Sequence, residues 1–332
     1  MAKSMVAKSA ALGGIGIGGG APSPGGALAG YLGRLGKNMR AYYQLYLLII
    51  PVVAYYLVFH YWPMYGAQIA FKDFSPGEGI WGSPWAGLKH FRTYFGSYYF
   101  WRLIRNTLLL NVYNLLYGFP APIILALLIN EVRSRGYKRA VQTITYIPHF
   151  ISLIVICGLL KDMLNANGLI NYLLNAAFGR EGVAYLLDPR YFRTIYVASG
   201  IWQQIGWGSI IYLAAITSID QELYEAASID GARRLRKLIH ITIPSILPTI
   251  IIMLIMRMGQ MMNVGAEKVM LLYNSATYET ADVISTFVYR KGLLEMDYSY
   301  SAAVGLLNSI VNFALVASSN SISKRFSETS LW

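Results

Sequence analysis

Residues 220–256 read DQELYEAASIDGARRLRKLIHITIPSILPTIIIMLIM, a charged segment followed by a long apolar one. The second part, 238–256, contains no Asp, Glu, Lys or Arg. About 20 mostly apolar residues are enough to cross a membrane as a helix. Backbone groups cannot stay unpaired in lipid, so an apolar run of this length predicts a helix. The stretch therefore predicts a membrane-spanning helix with a polar segment at one end.

Five more charge-free runs of similar length occur along the chain, which is 55% hydrophobic and only 13% charged. Soluble domains average about 25% charged residues, so a soluble helical bundle would have too few charges to cover its surface. We therefore expect an all-α membrane protein with six transmembrane helices. Their expected positions are 41–62, 106–129, 140–160, 194–216, 241–262 and 302–317.

The net charge of +12 comes largely from Lys and Arg residues beside these apolar runs. Cytoplasmic segments of membrane proteins carry such an excess. It is found in 1–40, 131–139, 220–243 and 318–332, which predicts that both termini are cytoplasmic and that the protein lies in a bacterial inner membrane. No nucleic-acid-binding motif accompanies the charges, so we expect no nucleic-acid partner.

Three regions follow from this pattern: a Gly-rich cytoplasmic tail at 1–40, a six-helix membrane domain at 41–317 and a cytoplasmic tail at 318–332. The Gly-rich tail lacks the Gly-Lys-Ser/Thr sequence of a phosphate-binding loop and predicts a flexible segment. The single cysteine, Cys157, lies in an apolar run, where we expect an inert, packed thiol.

The polar segment 220–244 predicts a short helix–turn–helix on the cytoplasmic face. Asp220 is a suitable N-cap for a helix at 221–229, and Gly231 can adopt the backbone angles of a tight turn. Basic residues at 233–237 begin the second helix, and Pro244 is expected near the start of the fifth span, where its missing N–H matters least. Such a hairpin either docks a partner or is an ordinary interfacial hairpin.

The spacing Glu225-Ala226-Ala227, three residues, Gly231, nine residues, Ile241-x-Ile243-Pro244 resembles the signature of membrane subunits of binding-protein-dependent ABC importers, with Ile243 in place of Leu. In that family this loop is the coupling helix, which is seated in a cleft of the ATPase subunit. The resemblance implies that Glu225 pairs with a basic group of the ATPase and that Ala226 and Ala227 allow close approach. Asp230 and Gly231 would make the turn.

Further blocks resemble the polysaccharide-type branch of the carbohydrate importers: YWPMYG at 61–66, AFKDF at 70–74, GIWGSPW at 79–85 and YIPHFIS at 146–152. The resemblance implies a type I ABC importer permease architecture and an oligo- or polysaccharide cargo of an acidic, alginate-type kind. Implied partners are a second homologous permease subunit, two ATPase subunits, an external solute-binding protein and membrane lipid. ATP and Mg would be bound by the ATPases, so this chain needs no cofactor, metal or catalytic residue of its own.

Polar residues inside the expected spans are the candidates for contact with a sugar. They are Trp202, Gln203, Gln204, Trp207, Asn111, Asn114, Asn308, Asn312 and Arg257. Arg257 is a charge within a predicted span, which is costly unless it faces a cavity or a partner, and it could pair with a carboxylate of a uronate oligomer. The alternative for the amides and for Arg257 is hydrogen bonding between helices.

Two other functions compete with the importer. A proton- or sodium-coupled carrier working without an ATPase would use His149 or His240 as relays, but such carriers usually bury a carboxylate, and the predicted spans contain none. A membrane enzyme acting on polysaccharide would need paired acids, whereas Asp73, Asp162 and Glu267 are scattered.

Overall fold

The computed structural model describes residues 42–179, 182–260 and 264–326. The predicted tail at 1–40 lies outside them. The helices are α1 (Tyr43–Phe71), α2 (Lys89–Phe95), α3 (Tyr99–Glu131), α4 (Arg135–Phe150), α5 (Leu153–Met163), α6 (Leu169–Phe178), α7 (Pro189–Thr217), α8 (Gln221–Ile229), α9 (Arg234–Met258), α10 (Ala266–Leu272), α11 (Ile284–Tyr289) and α12 (Tyr298–Phe326). Single helical turns occur at Gly79–Gly82, Ser275–Thr277 and Tyr278–Ala281. Within the described ranges, β structure is limited to one bridge between Lys72 and Trp85, so the all-α expectation is confirmed.

Four helices, α1, α3, α9 and α12, are each long and apolar enough to cross a membrane. The helices α4 and α5 pass the same test as a pair, which brings the number to five if that pair is one span. Helix α7 is 29 residues long but is interrupted by glutamines, serines and glycines, which make it more polar than the others. The described residues divide into two compact units between Gly66 and Ala67.

The third predicted span, 140–160, is wrong as a single helix, because the structure divides it into two helices. Helix α4 ends in a tight 3-10 turn at Ile147–Phe150, and α5 leaves at an angle of 99°. The backbone leaves helical geometry at Ile151, whose ψ is 133°, and Ser152, also extended, caps α5 by accepting from the Val155 N–H. The 3-10 turn that contains Pro148 and the serine N-cap that follows it therefore separate the two helices.

Several helix boundaries also differ from the predicted ones, and those of the fifth and sixth spans bear on the predicted tail. The fifth predicted span, 241–262, belongs to a helix that starts earlier, at Arg234, and is described as far as Met258; residues 261–263 lie outside the described ranges. The sixth, 302–317, belongs to α12, which continues to Phe326. The predicted cytoplasmic tail at 318–332 therefore begins inside a helix, and its last residues, 327–332, lie outside the described ranges.

Three prolines are built into long helices by the same device. A π turn precedes each of them: Leu57–Tyr61 before Pro63, Asn114–Gly118 before Pro120 and Leu238–Thr242 before Pro244. Proline has no N–H, and its ring clashes with the carbonyl four residues back. A wider turn with bonds from residue i to i−5 shifts that carbonyl and lets the helix continue.

Helix α7 lies at the centre of the second unit, in contact with α3, α4, α5, α9 and α10. Its glycines permit close crossings. A Cβ on Gly206 would lie 2.1 Å from the carbonyl oxygen of Thr145 on α4, and a Cβ on Gly208 would lie 3.0 Å from Pro122 on α3. The small residues therefore let α4 and α3 pack closely on opposite faces of α7, which fixes its position.

Candidate functional site

Helix α8 forms the first arm of an elbow, which we define as residues 220–244. The helix spans Gln221–Ile229 as predicted, and the Asp220 side chain accepts from the Glu222 N–H at 3.0 Å. Gly231 has a left-handed φ of 72°. The Gly231 N–H donates to the Ser228 carbonyl at 3.1 Å and the Ala232 N–H to the Ala227 carbonyl at 2.8 Å. This pair of bonds is the Schellman motif, which ends helices at a left-handed glycine.

Helix α8, the first arm of the elbow, is tied to helix α9 by side chains. The hydroxyls of Tyr224 on α8 and Thr242 on α9 lie 2.9 Å apart, and Thr242 is buried. The Lys237 ammonium also donates to the Ser228 hydroxyl. A displacement of α8 therefore acts on α9 through a polar link as well as through the chain.

The outer face of α8 is open. Glu225 and Ala226 are exposed, and no ion pair of Glu225 occurs in the described part of the chain. Leu223 and Ile229 expose apolar side chains on the same helix. An apolar, small-residue surface with two exposed carboxylates, Glu222 and Glu225, is suited to docking a protein partner.

The remaining residues of the predicted motif lie on α9. Ile241 is in the π turn, and Ile243 and Pro244 follow in the α-helical part. Pro244 is thus inside the continuous helical run that starts at Arg234, not at its beginning as predicted, because the π turn accommodates it.

A cleft of about 530 Å³ lies between α3, α5, α7, α9 and α10. Five of the predicted cargo residues line it: Asn114, Gln203, Gln204, Trp207 and Arg257. Helix α7 supplies more of the lining than any other helix, and its lining residues include positions 196, 200, 203, 204, 207 and 208. These positions recur at the helical spacing of three and four and so share one face.

The aromatic wall of the cleft is held rigidly. The ring of His149, at the end of α4, stacks on Trp207 with centroids 4.3 Å apart and planes 2° apart. His149 Nδ1 is 3.0 Å from Gln204 Oε1. His149 therefore packs against α7, and His240 bonds within its own helix, to the Arg236 carbonyl at 3.0 Å. A fixed indole face beside two amides has the geometry that suits a sugar ring.

The cleft lining contains two cations, Arg257 and Lys268, and no carboxylate. Lys268 belongs to α10, outside the candidate spans, and is only 8% exposed. Its ammonium donates to the Tyr196 carbonyl at 2.9 Å and lies 4.8 Å from the centre of the Tyr196 ring. Burial lowers the pKa of Lys268 to about 8. The cleft is therefore a positively charged, partly aromatic cavity.

Four predicted cargo residues do not line the cleft. Trp202 points away, half exposed, and Asn111 donates to the Thr107 carbonyl of its own helix. Asn312 donates to the Gly259 carbonyl at 2.8 Å, which is the interhelical bond weighed as its alternative. Asn308 is absent from the lining.

Several lining residues were missed by the sequence analysis, among them Gln260, Tyr196 and Lys268. Gln260 lies three residues after Arg257, so helical spacing from Arg257 would have found it. Tyr196 lies two helical turns before Gln203, so the same argument applied to α7 would have found it. Lys268 lies between the fifth and sixth predicted spans, in a segment with no periodic pattern, and no sequence signal indicated it.

Among the residues that the structure describes, no three His, Cys, Asp or Glu residues are arranged to hold a metal ion. Asp73, one of the scattered external acids, pairs with Lys89 at 2.9 Å. This ion pair holds the Asp73 carboxylate in place, and the hydrogen bond from Lys89 lowers the pKa of Asp73.

Comparison with known proteins adds three findings. A family model described as a binding-protein-dependent transport system inner membrane component matches residues 118–328. The chain is 46% identical over 289 residues to Protein LplB of Bacillus subtilis, covering 87% of this chain and 91% of that one. It is equally similar, at 46% over 289 residues, to the polygalacturonan/rhamnogalacturonan transport system permease protein YteP of the same organism, with 87% and 90% covered.

The fold is also similar to a solved structure. A chain of a bacterial alginate ABC transporter, crystallised in complex with an alginate pentasaccharide-bound periplasmic protein, superimposes with a TM-score of 0.83 at 44% sequence identity. The match covers 90% of this chain and 100% of that one.

Proposed function

The chain belongs to the family of binding-protein-dependent transport system inner membrane components, and from this premise we propose that it forms half of the translocation pathway of an ATP-driven importer for acidic oligosaccharides. Its relatives are permease subunits of sugar ABC transporters rather than enzymes. The observation that carries the proposal is the connection of the open elbow, through α9, to a cationic cleft.

The elbow receives force from an ATPase subunit. Glu225 pairs with a basic group of the ATPase, and Ala226 and Ala227 let the two backbones approach. The Schellman turn at Gly231 fixes the angle between α8 and α9. Closure of the ATPases on ATP then moves α8 as a rigid body.

Helix α9 transmits this movement. It has 25 residues, which at a rise of 1.5 Å per residue gives a length of about 37 Å. Thr242, about a third of the way along α9, is bonded to α8, and Met253, Met256 and Arg257 near its far end line the cleft. A tilt of α9 therefore changes the width of the cleft, which is what alternating access requires.

The cleft suits an acidic sugar. Trp207 offers a flat face, Gln203 and Gln204 offer amides, and Arg257 offers a charged fork that pairs with carboxylate. A relative is named for polygalacturonan and rhamnogalacturonan transport, and a structurally similar protein carries alginate. Both cargoes are polymers of uronic acids, which supports the same substrate class here.

The complete transporter has one further permease subunit, two ATPase subunits and an external solute-binding protein, and this chain holds neither ATP nor Mg. Six crossings with both termini in the cytoplasm are part of the proposal. They require that α4 with α5 makes one crossing and α7 another. The elbow then faces the cytoplasm, where the ATPases are.

A charge reversal tests the coupling. In the assembled transporter, Glu225→Lys places a cation against the basic group of the ATPase and is expected to abolish the ATP hydrolysis stimulated by binding protein and cargo. Glu225→Gln removes the carboxylate charge without adding a repulsive cation and should retain part of the stimulated hydrolysis. Stimulated hydrolysis that persists in Glu225→Lys at the wild-type level would overturn the proposal.

The competing ion-coupled carrier has less support. Its coupling site needs a carboxylate in the transport cavity, and the cleft lining has none. The buried carboxylate of the second unit, Asp282, is paired with Arg290 at 2.7 Å and is not part of the lining. Uptake that collapses with the proton gradient but continues without nucleotide would favour the carrier.

A further inference from the structure

Lys268 is a buried cation without an anion. Two charged side chains are buried among the described residues, Lys268 and Asp282. Asp282 is neutralised by Arg290 at 2.7 Å and Arg102 at 3.4 Å. No carboxylate lies within ion-pair distance of Lys268 in the described part of the chain. An isolated buried charge is costly, so this site differs from the rest of the fold in leaving its charge uncompensated.

The ammonium has spare bonding capacity and is reachable from the cleft. Of its three N–H donors, one is used by the Tyr196 carbonyl. Gly200, on the face of α7 that lines the cleft, packs close to the ammonium: a Cβ there would crowd Lys268 Nζ at 3.3 Å. The absence of a side chain at Gly200 thus avoids this contact, and Lys268 remains part of the cleft lining.

We propose that Lys268 and Arg257 are paired carboxylate anchors, which bind carboxylate groups of one acidic oligosaccharide and give this subunit its selectivity for uronate over neutral sugars. The inference rests on the proposed function and adds the residues that determine the cargo. Arg257 is exposed and binds the carboxylate at the cleft surface, whereas Lys268 binds the one that penetrates deepest. A neutral sugar leaves the buried ammonium unpaired and is therefore disfavoured.

Direct binding to the assembled complex of both permease subunits and both ATPases, in nanodiscs without binding protein, tests the proposal. The probes are trigalacturonate and its carboxyl-reduced, neutral analogue. Lys268→Met is expected to weaken trigalacturonate binding by about tenfold or more and to leave binding of the neutral analogue unchanged. Lys161→Met, which removes an exposed lysine from α5, should change neither.

A pH profile separates charge recognition from a merely structural role. Around the ammonium lie Tyr196 on α7, Cys157 on α5, exposed Glu267 on α10 and, in the same cleft, Arg257 on α9. Because the pKa of Lys268 is about 8, trigalacturonate binding to the wild type should fall between about pH 7 and about pH 9. In Lys268→Arg the cation persists, and the fall should disappear.

The outcomes are distinguishable. Equal loss of acidic and neutral probes in Lys268→Met, or a pH profile that Lys268→Arg leaves unaltered, would overturn the inference while leaving the importer intact. If no cargo stimulated ATP hydrolysis by the wild-type transporter, the proposed function would instead be overturned. Trigalacturonate binding that is strong in zwitterionic nanodiscs and weak in anionic ones would indicate that lipid headgroups compete for the same cations, which supports an anion site.

Discussion

The backbone conformation at position 231 favours glycine. Its φ of 72° is left-handed, and no atom lies within 4 Å of the position where a Cβ would be. An L-residue there costs about 1–2 kcal/mol from backbone strain alone. Because Gly231 closes the Schellman turn, this strain acts on the end of α8, which is the part proposed to meet the ATPase.

We therefore expect Gly231→Ala to lower the ATP hydrolysis stimulated by binding protein and cargo, with normal assembly. Gly179→Ala is the matched control. Gly179 also ends a helix, with a φ of 63° and free space around it, but it follows α6 in a segment that we place outside the cell. Equal loss of stimulation in both variants would show that the effect is general instability rather than coupling.

At the scale of helices, the crossing of α4 and α7 depends on one glycine. A Cβ on Gly206 would lie 2.1 Å from the Thr145 carbonyl oxygen and 2.4 Å from its carbon, and both are backbone atoms that cannot rotate away. Gly206→Ala should therefore push the helices apart, cost about 1–3 kcal/mol and lower the melting temperature of the purified complex. Cargo binding should fall with it, since the adjacent Trp207 is held against His149 at the end of α4.

The control for this prediction is Gly158→Ala in α5, where no atom lies within 4 Å of the new Cβ. Alanine is the better helix former by about 1 kcal/mol, so this change should leave the melting temperature unchanged or raise it. If Gly206→Ala is as well tolerated as Gly158→Ala, the close crossing does not stabilise the protein.

The sequence predicted the positions of the helices better than their bends and π turns. The elbow was predictable because Asp220 and Gly231 act locally, through a cap and a turn. The bend at Pro148 was missed because hydropathy averages over 140–160 and does not register one proline followed by a serine cap. The π turns were missed for the same reason, although Pro120 and Pro244 inside apolar runs were visible signals.

The cleft was predictable only where polar residues interrupt an apolar helix. Gln203, Gln204, Trp207 and Arg257 were found in this way because charge and amide groups are costly in lipid and need a cavity. Lys268 could not be found, since it lies outside the apolar runs, where a lysine is not unusual. Its position depends on how α10 folds back onto α7, which is a tertiary contact.

For the whole molecule, the side of the membrane on which the elbow lies depends on α4 and α5. If this pair crosses the membrane, α7 returns the chain to the cytoplasm and the elbow faces the ATPases. If the 99° bend turns the pair back instead, every later segment is inverted, and the elbow faces outward. The positively charged loop at 131–139 is cytoplasmic in either arrangement, provided that α1 and α3 cross.

Cysteine labelling decides between these arrangements. In a Cys157→Ala background, an impermeant maleimide should label Tyr172→Cys in right-side-out vesicles, and label Arg133→Cys and Gln221→Cys only in inverted ones. Tyr172 lies on α6, directly after the bent pair, and its side chain is exposed. Because α4 and α5 are the only helices between positions 133 and 172 in the described chain, labelling of both from one side would mean that the pair does not cross. The elbow would then lie outside the cell, beyond reach of an ATPase, and the proposed coupling through Glu225 would be wrong.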